Sequence, residues 1–143
     1  MIKVFTDGGS RGNPGPAASA FVVFDNSKIL AKEGKFLGNT TNNIAEYNAL
    51  LLAVEWLDKN KLTENIKFFL DSELIVKQLN KTYKIKNKNL KIIFLRINKL
   101  LDEGFEGSSF IHVPRGQNKL ADELVNKILD ENMKISRSRG TFL

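Results

Sequence analysis

Six of the nine residues from Gly8 to Pro16 are glycine or proline, and they follow a short run, Met1 to Thr6, that is apolar and β-branched. The run reads as a strand and the cluster forces a turn. Ala17 to Phe24 reads as a second strand, so the intervening loop is a hairpin connection. A loop cradling nucleotide phosphates would instead lead into a helix and usually close on Gly-Lys-Ser/Thr. Asp7 therefore stands at a strand end before a turn, where a turn-initiating aspartate explains it as well as a functional one does.

Downstream, Lys28 to Leu37 reads as a third strand after the polar turn Asp25-Asn26-Ser27. Gly38 to Asn43 is a loop able to cap a helix, and Ile44 to Asp58 has helical periodicity through Tyr47, Leu50, Leu51, Val54 and Leu57. A strand at Asn65 to Leu70, helices at Ser72 to Asn80 and Asn89 to Glu103, a strand at Ser108 to Val113 and a helix at Asn118 to Asp130 follow. Three strands in meander and then alternating elements predict an α/β domain with a mixed sheet.

At 143 residues the chain is long enough for one core without staples. It has no cysteine and one histidine, which removes thiolate zinc sites, iron-sulfur clusters, disulfides and thiol nucleophiles and leaves little room for zinc hydrolases. No basic leader precedes an apolar run and no stretch is apolar enough for a membrane span, so the expected setting is soluble and cytoplasmic, with no membrane partner. The net charge of +6 is uneven: Leu74 to Leu101 contains no acid and carries Lys77, Lys81, Lys84, Lys86, Lys88, Lys91, Arg96 and Lys99, a local +8, leaving −2 for the rest. A basic segment on a slightly acidic body points to a polyanion, although a solvated lysine face is the commoner meaning of such a run.

Four acids remain. Glu46 has Asn42, Asn43, Ala49 and Leu50 as helical neighbours and no local cation, whereas Glu55 has Lys59 four residues on. Asp71 follows the strand Lys67-Phe68-Phe69-Leu70, as an N-cap or as a ligand group beyond a strand's carboxyl end. Asp122 lies early in the last helix, where the dipole favours an acid. Converging at one sheet edge, the four would repel each other unless divalent cations filled the cluster, and oxygen-only ligands favour magnesium or manganese.

Thr6-Asp7-Gly8-Gly9 with Gly12-Asn13-Pro14-Gly15, then Thr40-Thr41-Asn42-Asn43-Ile44-Ala45-Glu46, then Asp71-Ser72, then Asn118-Lys119-Leu120-Ala121-Asp122-Glu123-Leu124 resemble the successive motifs of type 1 ribonuclease H, in the family's order, from Ile2 to about Leu129. The resemblance implies a ribonuclease H-like α/β fold, a five-stranded mixed sheet flanked by helices, as a catalytic domain over 1–130 with a loosely ordered basic tail over 131–143. It further implies that Asp7, Glu46, Asp71 and Asp122 hold two magnesium ions, with manganese as the alternative. The ions would clamp the scissile phosphate, one activating water and the other stabilising the departing 3′ oxygen, to leave 5′-phosphate and 3′-hydroxyl ends.

The partner so implied is an RNA-DNA hybrid, with double-stranded RNA as a second candidate, bound by a monomer. Gly12, Asn13, Asn42 and Asn43 match the family's positions for reading the 2′-hydroxyl in the minor groove, and Asn13 and Thr41 match positions holding a phosphate of the DNA strand. Turn and cap chemistry explains the same residues without the resemblance. Two departures stand out. Many members place a basic protrusion between the helices corresponding to Ser72 to Asn80 and Asn89 to Glu103; here only Lys81 to Asn89 intervenes, so the expected substrate grip is either weaker or spread over Lys84, Lys86, Lys88 and Lys91. Counting back from Asp122 without gaps matches His112 to the family's loop histidine, but His112-Val113-Pro114-Arg115 resembles the variant in which arginine takes that place, which favours Arg115 as the accessory group and His112 as a packed strand residue. The competing readings are a non-catalytic binder of hybrids or double-stranded RNA, and another nuclease of this fold; the proofreading type opens with Asp-x-Glu, where this chain has Gly9.

Overall fold

The computed structural model describes residues 1–81 and 84–140, without the side chains of 134–140. Its elements are β1 (Ile2–Ser10), β2 (Gly15–Asp25), β3 (Lys28–Thr40), α1 (Asn42–Lys59), β4 (Lys67–Leu70), α2 (Glu73–Leu79), α3 (Lys88–Gly104), β5 (Ser109–His112) and α4 (Lys119–Gly140), with a single 3-10 turn at Arg115–Gln117. The five strands form one mixed sheet in the order β3-β2-β1-β4-β5. β1 pairs antiparallel with β2 and parallel with β4, and β5 continues the parallel half. The expected fold class is the observed one.

Two expected boundaries are corrected. The glycines after Asp7 do not end β1, which stays paired with β2 as far as Ser10 opposite Ala17. Small residues on both strands make this possible: the turn shrinks to Arg11–Pro14, closed by the Arg11 amide donating to the Pro16 carbonyl at 2.8 Å. The last helix, expected to stop at Asp130, runs to Gly140 and takes into its backbone most of the segment expected as a loosely ordered tail. Between Gly116 and Gly140 the sequence offers no glycine or proline to stop it. Residues 141–143 of that tail lie outside the described residues.

Alternation along β2 separates two cores. Phe21 and Val23 face a large apolar cluster with Tyr47, Leu50, Val54 and Leu57 of α1, Ile75 of α2 and Leu90 and Ile97 of α3. Ala18 and Ala20 face the other way, beneath Val125 and Leu129 of α4. α1 is buried along Ala45, Tyr47, Ala49, Leu50, Ala53, Val54 and Leu57, the near-continuous apolar surface of a central helix. Its start is brought onto the sheet by Gly8, where a Cβ would lie 2.2 Å from the Ala45 carbonyl carbon. The Ser19 hydroxyl donates to the Ala45 carbonyl at the same spot, fixing the approach.

One expected ion pair is exchanged. Glu55 meets Arg96 of α3 at 3.4 Å rather than Lys59, and Lys77 pairs with Glu73 at 3.1 Å, so the basic segment is partly compensated from outside.

Candidate active site

β1 and β4 are parallel neighbours with Phe5 opposite Phe69, so the same register carried two residues on sets Asp7 against Asp71. Asp71 is free for this position because Ser72, not Asp71, caps α2: its hydroxyl oxygen accepts from the Ile75 amide at 3.3 Å. Glu46, on the second turn of α1, arrives through the close approach at Gly8. Carboxylate oxygens of Asp7, Glu46 and Asp71 all lie within 4.8 Å of one another. Asp122 comes from the opposite face, in the first turn of α4, with its carboxyl within hydrogen-bonding reach of Asp7.

Electrostatics follow from this crowding. Burial, then the charges of Asp71, Asp122 and Glu46 and the hydrogen bond to Asp122, push the Asp7 carboxyl up to about 8. Glu46 is pushed up to about 7, first by burial and then by Asp71, against a downward pull from the Ser72 hydroxyl and the Arg115 guanidinium. The cation that Glu46 lacks on its own helix is thus supplied by the 3-10 turn. A cluster of oxygen donors that raises its own protonation suits hard divalent cations, which relieve both the repulsion and the desolvation of the acids.

Asn118, quoted above only as part of a motif, ties the strand ends together. It is 1% exposed, and its Nδ2 donates to the Thr6 carbonyl at 2.8 Å and to Asp71 Oδ2 at 3.3 Å. Its Oδ1 has no partner among the described residues, so the amide is held there by its donor end alone. No spacing rule marks such a bridge, because its partners are 112 and 47 residues away.

The amide residues gather beside the acids. Asn42 Oδ1 accepts from the Ser10 amide at 2.8 Å and hydroxyl at 3.0 Å, Asn13 Oδ1 accepts from the Asn42 amide at 3.0 Å, and the Thr41 hydroxyl oxygen caps α1 by accepting from Ile44 at 3.2 Å. Turn and cap chemistry therefore uses one polar atom of each. Asn43 and Gly12 are exposed, and Gly12 holds φ +90, which a side chain would disfavour. Asp7, Glu46, Asp122, Asn42, Asn43, Ser72 and Arg115 share one cleft of about 600 Å³. Lys84, Lys86 and Lys88 are exposed but do not line it. Lys81, Lys84 and Lys91 instead border a separate groove of about 280 Å³ over Ile85, Phe94 and Leu95. His112 ends β5 opposite Leu70 as expected, but it is exposed rather than packed and acts electrostatically on Glu73, outside the cleft.

A family model described as reverse transcriptase-like matches residues 5–128. A ribonuclease HI of Halobacterium salinarum is 40% identical over 131 residues, covering 91% of this chain and 65% of that protein. The chain belongs to the ribonuclease H family. LC11-RNase H1, solved in complex with an RNA/DNA hybrid, superposes with a TM-score of 0.89 at 41% identity, over 93% of this chain and 99% of that one. A bifunctional protein of Mycobacterium tuberculosis is 36% identical over 131 residues, 90% of this chain but 35% of its own length. The chain thus spans between about a third and two thirds of these curated relatives.

Proposed function

We propose that this protein is an endoribonuclease that hydrolyses the RNA strand of RNA-DNA hybrids, leaving 5′-phosphate and 3′-hydroxyl ends. The observation that carries the reading is the convergence of Asp7, Glu46 and Asp71 within 4.8 Å, with Asp122 against Asp7. These four would hold two divalent cations, magnesium or else manganese. Bound there, the cations supply activation of the attacking water and stabilisation of the leaving oxygen. The chain's own residues do the rest: Asn118 orients Asp71, Ser72 orients Glu46, and Arg115 lies close enough to Glu46 to serve as the accessory group.

Selection of RNA falls to the turn and helix start beside the acids. Gly12 brings backbone against a wide minor groove, and the amide ends of Asn13, Asn42 and Asn43 meet the 2′-hydroxyls. Asn13 and Thr41 hold a phosphate of the DNA strand. Lys84, Lys86 and Lys88 act farther out, as diffuse attraction for the hybrid backbone.

Labelled RNA-DNA hybrid, RNA duplex and DNA duplex, each incubated with magnesium, manganese or chelator, test the reading. Metal-dependent cutting of the hybrid is expected, lost in Asp7→Asn and Asp71→Asn. Hybrid binding without cutting would favour a binding module, cutting of DNA duplex alone would favour another nuclease of this fold, and RNA duplex cutting would widen the substrate class.

A further inference from the structure

Two arginines line the cleft among the described residues, and only Arg115 has a part in the mechanism above. The other, Arg11, begins the β1–β2 turn. Its backbone is fixed, since a Cβ on Gly15 would lie 2.1 Å from the Arg11 carbonyl oxygen. The side chain crosses to α4, where Nη2 meets Asp130 Oδ1 at 2.6 Å, Asn126 Oδ1 at 3.4 Å and the Asn126 carbonyl at 3.5 Å, and Nη1 donates to Met133 Sδ at 3.4 Å.

As a bolt between turn and helix this is weak. The pair is exposed, 34% at Arg11 and 66% at Asp130, and such pairs contribute about 0–1 kcal/mol. As an anion site it is better equipped. A guanidinium has five N–H donors in a fork that fits phosphate, and Nε has no partner among the described residues. Asp122, Asn126 and Asp130 follow at four-residue steps along one face of α4, so Arg11 docks within about 12 Å of Asp122 along the axis. A strand carries one phosphate per about 3.4 Å of duplex axis. A strand that runs along α4 with its scissile phosphate at the acids would bring one of its next few phosphates beside Arg11.

We propose that Arg11 and Asn126 form a phosphate subsite for the strand being cut, a few nucleotides from the scissile bond. Asp130 is the anion that holds the guanidinium ready until the phosphate replaces it. The subsite rests on the hybrid-cleaving reading and extends it.

The test compares Arg11→Met, Arg11→Lys and Asp130→Asn with the unaltered protein on hybrid across a salt series, with melting temperatures recorded. Arg11→Met should raise KM by about tenfold, keep kcat, and reduce the slope of log KM against log salt by about one. Arg11→Lys, keeping charge without the fork, should retain the slope and raise KM less. Asp130→Asn, which removes the competing anion, should lower KM by about twofold. If Arg11→Met and Asp130→Asn both raise KM with the salt slope unchanged, Arg11 is a bolt and the subsite is overturned. Absence of hybrid cleavage by the unaltered protein would remove the parent reading and the subsite together.

Discussion

A methyl group at position 8 would sit 2.2 Å from the Ala45 carbonyl carbon and 2.4 Å from the Glu46 nitrogen, both backbone atoms with no freedom to yield. Gly8→Ala is therefore expected to push α1 off β1, costing about 1–3 kcal/mol and separating Glu46 from Asp7. Equilibrium unfolding should show the loss, and activity should fall further than stability explains. Asn118→Ala works differently: it strips the Thr6 carbonyl and Asp71 of their donor but also removes an orphaned oxygen, so its stability cost stays near the low end of about 1–3 kcal/mol. Its signature is a fall in kcat at nearly constant KM, measured on hybrid. Neither residue is an acid, and both were visible in the sequence only as motif letters. Their importance comes from atoms that no local spacing brings near.

Caps set the two helix starts that flank the acids. Thr41 caps α1 and Ser72 caps α2, and each truncation to alanine should cost about 1 kcal/mol, a drop of a few degrees in melting temperature. Their kinetic effects should part company. Ser72→Ala also removes the hydroxyl that steadies Glu46, so kcat falls, whereas Thr41→Ala removes a proposed phosphate contact, so KM rises. Steady-state kinetics on hybrid at saturating metal separates the two. Element existence was legible throughout: strands from short apolar runs bounded by turns, helices from period and caps. Element ends were not. β1 outlasted its glycines because β2 offers small residues opposite, and α4 outlasted Asp130 because no glycine or proline stands between Gly116 and Gly140 to stop it.

Across the whole molecule the acid cluster trades stability for a metal site. Asp7 rises from 3.8 to about 8 and Glu46 from 4.5 to about 7, so between about pH 4 and pH 8 the folded state holds more protons than the unfolded chain. Stability then falls as pH rises through that window, and the contribution present in acid is lost by about pH 8. In chelator, the melting temperature should decline over this range. Asp7→Asn should flatten the decline, and added magnesium should raise the melting temperature most at the alkaline end. Thermal scans at several pH values, with and without the ion, check all three. A metal-free protein whose stability climbed from pH 5 to pH 8 would contradict the cluster's protonation.

By itself the sequence determined the fold class, the order of the elements and the hairpin after Asp7, and it singled out the four acids and Arg115 as candidates. These rest on rules that act within a few residues or on motifs read as a series. Only the tertiary structure decided which acids share a site and at what distance, that Ser72 rather than Asp71 caps α2, that Asn118 joins two strand ends, and that Arg11 faces the cleft from the turn. Those depend on strand register and on how closely one backbone can approach another, and such distances arise from packing over the whole sheet rather than from any stretch of chain.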